Sequence, residues 1–344
     1  MTKLSIIVPV YNVEKYIRTC FESIFKQGID DEVFEVIIVN DGTKDKSMEM
    51  IADIINQHTN VTIINQENQG LSVARNNGMA IAKGEYLLML DSDDLLIDDS
   101  LMPLLEKAID SQADLIVADF LKIDHKDFNQ IKGLIKQKDF SVSEKNGERL
   151  FLEDLNPHEC YVWRTLYKKE LITNNQLKFF PKIRYQDIPF THECYLKAGK
   201  CLRTSWLLNI YRKRPEAATT SFGLSNAKDL CIAIAKTWEL TYIKELSSAI
   251  RFKLQEDIWT SFVELLRHTC NNIKDAKERI LIIDFIREKA PNLYFRNNKK
   301  QITASFIFRK MPHTFIRLYY IYVKLVENKF LPFYHHKFKT FVVS

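Results

Sequence analysis

The order of residues predicts an α/β fold: a mostly parallel sheet with helices on both faces, followed by a helical C-terminal region. Two observations carry this expectation. Through roughly the first 120 residues, short runs that are apolar on both faces alternate with helix-length segments, the pattern of a parallel sheet covered on both sides. Beyond residue 224 the apolar spacing is helical.

Strands are expected at 4–10 (LSIIVPV), 34–40 (FEVIIVN), 61–65 (VTIIN), 85–91 (EYLLMLD) and 114–119 (DLIVAD). Between them, helices are expected at 13–27, 44–57, 71–82 and 99–110. Thr43 or Asp45 is placed to cap the second helix, and Ile51, Ile54 and Ile55 give it an apolar face. From 120 to 221 the pattern is irregular and reads as an insertion and capping region over the carboxyl edge of the sheet. Helices are expected again at 225–247, 250–270 and 275–288, and then an aromatic, basic tail.

The bulk numbers set bounds. With 344 residues, 46% of them hydrophobic and 27% charged, the chain is long enough for one large core and a satellite domain. No stretch reaches the ~18 apolar residues of a spanning helix, and the N-terminus reads as a first strand rather than a leader. The six cysteines are scattered with no C-x-x-C pair, which suits a reduced cytosolic protein in which they are small buried hydrophobes. The net charge of +5 is uneven: from Arg296 to Ser344 ten Lys or Arg face one acid, +9, which leaves −4 for the rest. A mildly acidic body with a basic tail points to an anionic surface as a partner of the tail.

Ligands of such sheets bind beyond the carboxyl ends of the strands. Three polar clusters fall there: "PVYN" (9–12), "NDGTKD" (40–45) and "DSDD" (91–94). The last places Asp91, Asp93 and Asp94 at the end of a buried strand. Like charges that close raise one another's pKa unless a cation relieves them. Hard oxygen ligands suit Mg²⁺ or Mn²⁺ with a diphosphate; a solvated acidic strand end is the alternative. Asp41, before Gly42, is placed to accept from a base N–H or to form an ordinary turn. Tyr11 is placed to stack on a base, or to sit at a rim. "NQGLSVARNNG" (68–78) opens a helix at Gly70, with amides that can face an anion and Arg75 just over one turn in.

Taken in order, "SIIVPVYN", "VNDGTKDKS", "NQGLSVARNNG" and "LDSDD" resemble family-2 nucleotide-sugar glycosyltransferases of the GT-A (Rossmann-like) fold, of the bacterial surface-polysaccharide type. The likeness is strong to about residue 120, moderate over 160–220 and silent about the C-terminal third. It implies inverting, metal-dependent transfer of a sugar from a nucleotide-diphosphate donor, usually UDP. On this resemblance Pro9, Tyr11 and Glu14 belong to the first nucleotide-contacting loop. Asp41 would meet the uracil, Arg75 the nucleotide, and Asp91 with Ser92 the ribose side. Asp93 would hold Mn²⁺ or Mg²⁺. Residues 1–120 would then bind nucleotide and 121–221 the acceptor, with 222–344 a helical region.

The family's catalytic base lies in a Glu-Asp pair. Here the matching "YQDIPF" puts Asp187 on the base position and Gln186 in place of the glutamate. An N-cap role for Asp187 is compatible with this. "YRKRPEAATTS" resembles a late segment of the family, from which Arg212 and Arg214 would approach the diphosphate. Ala217 stands where serine is usual. Trp163 is a candidate platform for the acceptor sugar, and His192 a lone helix histidine with a minor claim as a ligand.

The tail, 306–341, mixes aromatics with Lys and Arg and suits an interface on anionic lipid. No nucleic-acid module is visible, so no nucleic-acid partner is expected. The expected function is transfer to a glycan or lipid-linked acceptor at the cytoplasmic face of the membrane. A non-catalytic nucleotide-sugar-binding or assembly protein on the same fold is the alternative that Gln186 and Ala217 raise.

Overall fold

The computed structural model describes residues 2–124, 137, 140–214 and 222–327. The chain divides into two compact units. The first comprises Met1–Leu155, Cys160–Lys182 and Phe190–Ala217; the second comprises Asn156–Glu159, Ile183–Pro189 and Ala218–Ser344.

The first unit is built on a mixed sheet. Its strands are β1 (Leu4–Val10), β2 (Phe34–Asn40), β3 (Val61–Asn65), β4 (Tyr86–Met89), β5 (Leu95–Leu96), β6 (Leu115–Asp124), β7 (Val142–Asn146), β8 (Thr165–Lys168) and β9 (Lys200–Lys213). They lie in the order β3-β2-β1-β4-β8-β6-β9-β5, and β7 also pairs β9. The pairs β3–β2, β2–β1, β1–β4 and β6–β9 are parallel, whereas β8 is antiparallel to both β4 and β6. Two reversals cancel, so β9 runs the same way as β1 and its C-terminal end reaches the same edge.

Helices cover both faces. Alternate residues of β1 (Leu4, Ile6, Val8, Val10) pack in one core with α1 (Ile17–Phe25) and α4 (Leu101–Ser111), through Phe21, Leu104 and Leu105. The intervening Ile7 of β1, with Val39, meets α3 (Leu71–Ile81) on the opposite face at Gly78. Pro9 fits within β1 because pairing to β4 ends at Ile7–Met89, beyond which no ladder N–H is needed on that side. Between residues 44 and 57 the chain forms only a 3₁₀ turn (Glu49–Ile51) and the short α2 (Ala52–Ile55). Neither Thr43 nor Asp45 caps it. Asp45 instead accepts from the Ser47 amide and hydroxyl, which closes a turn that delays the helix. Helices α5 (Gly147–Asp154) and α6 (Lys169–Asn174) complete the unit, and α7 (Asp187–Lys197) begins in the segment assigned to the second unit.

The second unit is helical: α8 (Leu224–Glu239), α9 (Ser248–Asn272), α10 (Ala276–Lys289), α11 (Lys299–Lys310) and α12 (Pro312–Glu327). Ser247, Asp275 and Asn298 cap α9, α10 and α11 with side-chain oxygens. Phe262 on α9 contacts Phe295, Phe308 and Phe315, an aromatic centre that ties α11, α12 and the connection before them to α9. All six cysteines are buried free thiols, the role the sequence suggests.

Gly84 enters β4 where the chain leaves no room for a side chain. Its amide donates to Ser5 Oγ at 2.8 Å, and a Cβ there would lie 2.5 Å from the Leu4 and Ser5 backbone. Ser5 in turn donates to the buried Glu35 carboxylate at 2.6 Å. Gly84→Ala is expected to destabilise the protein by about 1–3 kcal/mol through overpacking, read as a lowered midpoint in denaturant with an unchanged slope.

Candidate active site

The apolar run of β4 ends at Leu90, and a turn closed by Asp94 N donating to Asp91 O (3.0 Å) gathers the next carboxylates. Oxygens of Asp91, Asp93 and Asp94 lie within 4.8 Å of one another. Residues Leu95 and Leu96 then pair with Asn209 and Ile210 of β9, which sets the acidic turn beside the end of that strand.

Each carboxylate has its own cation or donor. Arg75, only 2% exposed, ion-pairs with Asp91 and stacks on Phe179, so it is a core arginine and not a surface one. Arg214 ion-pairs with Asp93. The Arg212 amide donates to Asp94 Oδ1 at 2.9 Å, while the Arg212 guanidinium donates to Thr19 Oγ1 at 3.0 Å. Both arginines lie over the Tyr16 ring, at 5.2 and 4.9 Å. Asp94 Oδ2 is buried without a hydrogen-bond partner. Burial pushes the Asp94 carboxyl well above the ordinary range, reinforced by Asp93 and Asp91. Burial also raises Asp93, against the opposing pull of Arg214, and lowers Arg212.

These residues fit a hard divalent cation. Three carboxylates converge, one buried oxygen lacks a partner, and a guanidinium already sits on Asp93.

The neighbouring loops are fixed by side-chain to backbone bonds. Asp41, 3% exposed, spends both oxygens on its surroundings: Oδ1 accepts from Gln66 Nε2 and the Gln69 amide, Oδ2 from Asn68 Nδ2 and the Gly70 amide. A base N–H would have to replace one of these bonds. The anion ahead of α3 is therefore the protein's own carboxylate, and Gly70, at φ 87°, makes the entry possible. Glu14 accepts from the Lys46 amide and donates its own amide to Asp45; Val13 donates to Ser47 Oγ. These bonds zip residues 12–14 to 43–47. Burial works against the Asp45 carboxylate, yet the bonds from Ser47, Glu14 and Thr43 hold its pKa below the usual value. Tyr11 projects beside this seam, 43% exposed, and Ser92 is buried in the acidic turn.

Trp163 does not offer a sugar-binding face. It is 2% exposed, in a cluster with Tyr161 and Tyr211 and with Phe120 packed edge-on against it, because the 3₁₀ turn at Val162–Arg164 aims it into the core. His192 is likewise a core side chain, against Phe151 and the Cys160 sulfur. Asp187 is the first residue of α7, with Pro189 in the first turn. Its segment belongs to the helical unit, where the Arg184 amide donates to Asp229 and Tyr185 hydrogen-bonds Asn226. Gln186 is 2% exposed, its Oε1 without a partner. Ala217 lies outside the described residues.

Asp94 was read with Asp91 and Asp93 as one acidic cluster, but its burial was not legible; Tyr16 and Thr19 were missed, and nothing local marks them.

The acidic turn at the carboxyl end of β4 thus meets Arg212 at the end of β9 and Arg214 just beyond it. The chain belongs to glycosyltransferase family 2. Residues 5–173 match the family model described as glycosyl transferase family 2. The chain is 30% identical over 246 residues to glycosyltransferase GlyG of Streptococcus pneumoniae, which covers 68% of this chain and 78% of that protein. It is 29% identical to the uncharacterized glycosyltransferase EpsJ of Bacillus subtilis, over 86% of this chain and 88% of that one. Its fold is similar to the crystal structure of S. aureus TarS 1-349 in complex with UDP-GlcNAc, with a TM-score of 0.71 over 95% of this chain and 92% of that one, at 18% identity. Among the described residues no helix is long and apolar enough to cross a membrane.

A pH dependence follows from the raised carboxyls. The folded state holds their protons more tightly than the unfolded chain, whose aspartates titrate near ~3.9. Their stabilising contribution is complete below that range and lost as pH rises through the raised folded values. In chelator, the melting temperature is expected to fall as pH rises above the ordinary carboxylate range, and Asp94→Asn is expected to flatten that slope.

Proposed function

We propose that this glycosyltransferase takes its sugar from a UDP-sugar and passes it, with inversion at the anomeric carbon, to a hydroxyl of a cell-surface glycan or its lipid-linked precursor. The observation that carries the reading is the convergence of Asp91, Asp93, Asp94, Arg212 and Arg214 at one strand edge. UDP as the nucleotide is supported by the UDP-GlcNAc in the TarS crystal.

In this reading Tyr11 stacks on the base, and the seam 12–14/43–47 sets the wall of the nucleotide pocket. Asp93, with Asp91 and Asp94, would hold Mg²⁺ or Mn²⁺, which would supply positive charge against the departing diphosphate. Arg214, paired with Asp93, and Arg212, braced on Thr19 and Tyr16, would add positive charge beside the phosphates. Asp187 takes the proton from the acceptor hydroxyl as it attacks the face opposite the leaving group. Residues 1–221 form the transferase domain and 222–344 the helical region, which we place peripherally at the cytoplasmic membrane face.

Isothermal titration of UDP with and without Mn²⁺ tests the donor half. Metal-dependent binding that weakens about tenfold or more in Asp93→Ala supports it, and equal binding without metal and in the variant overturns it. For the base, Asp187→Asn is expected to lower kcat by roughly 10²–10⁴ with UDP affinity unchanged. Anomeric configuration of the product by NMR decides inversion.

A further inference from the structure

The last two helices present a surface that the transfer reaction does not use. On α12, Phe315, Ile316 and Val323 turn inward and are buried. Leu318, Ile321 and Leu325, spaced i, i+3 and i+7, form a second apolar face on the other side, 55%, 53% and 42% exposed. A helix apolar on two faces normally lies inside a core. Here one face is open among the described residues. Arg317 is exposed beside the stripe, and Lys324 follows on the same flank against the Tyr320 ring. The pattern recurs on α11, where exposed Ile302 and Phe306 stand i, i+4 apart among Lys299, Arg309 and Lys310. From Lys289 to Val326 the chain has eight Lys or Arg and no Asp or Glu.

We propose that the outer side of α12, with the cationic side of α11, docks on anionic phospholipid. This rests on the reading above that the enzyme works at a membrane face, and it narrows the contact expected of the tail at 306–341 to the exposed sides of two folded helices. The chemistry selects the occupant. An apolar stripe edged by Lys and Arg enters the boundary between headgroups and acyl chains, where the cations stay with lipid phosphates. A protein partner would need an acidic surface to match these cations, beside which the nearest acids are Asp284 and Glu288 of α10. Neutral bilayers would gain only the apolar term, so the surface is selective for negative headgroups.

The test is co-sedimentation of the full chain with vesicles of phosphatidylcholine alone or mixed with phosphatidylglycerol, with UDP titration on the same samples. Binding is expected only with the anionic lipid. Arg317→Glu with Lys324→Glu is expected to lower the partition coefficient by at least roughly thirtyfold. Leu318→Gln with Ile321→Gln, both at exposed positions that leave the core intact, is expected to lower it about tenfold or more. UDP affinity should not change in either variant, which separates failure of lipid docking from failure of the donor-site reading. Vesicle binding that survives both variants, or is absent from the wild type, overturns the proposal. So does a wild-type dimer that the same substitutions dissociate, which would assign the face to a second copy.

Discussion

The molecule is organised around an electrostatic liability: three aspartates emerge together from the end of a fully buried strand. Nothing in β4 can neutralise them, since Tyr86 to Leu90 are apolar and inaccessible. Their partners come from far along the chain, Arg75 from α3 and Arg212 and Arg214 from the end of β9. The sheet order makes this possible. The short β8, antiparallel between β4 and β6, restores the direction of β9 so that its cations arrive at the same edge as the acids. A strand order that ended β9 at the other edge would leave Asp94 buried with no amide to meet it, and an unpaired buried charge costs several kcal/mol.

Around that edge, the loops are held by individual side chains. Asp41 clamps residues 66–70, Asp45 and Glu14 clamp two loops to each other, and Tyr16 floors both arginines. The backbone leaves its ladder at these points, so its polar groups need partners, and carboxylates supply several acceptors each. The acidic residues thus divide into those that build the loops and those that remain for a cation.

Much of this was legible in the residue order. The first five predicted strands stand where expected to within a residue or two at most ends, except that β6 runs on to Asp124, because apolar runs flanked by turn residues leave few alternatives. The region from 120 to 221 was opaque for a physical reason. Strand β8 is four residues long and exists only through partners distant in sequence, so no local periodicity announces it; the two-residue β5, at 95–96, was missed for the same reason. The acidic cluster and its arginines could be read from spacing and resemblance. Their burial could not, so the core setting of Arg75, Trp163 and Asp94 came only from the fold. Residues 222–344 were expected to be helical, but the two helices within 299–327 were not placed individually, because the basic, aromatic composition there blurs the apolar spacing.

The Arg214–Asp93 pair makes the enzyme carry its own counter-ion on a leash. A tethered charge is present at high effective concentration whatever the solution contains. On the proposed reading a free ion would compete with a guanidinium that never diffuses away, and a phosphate that drew that guanidinium off would strengthen the ion's hold, so that ion and donor would favour each other's binding through one side chain.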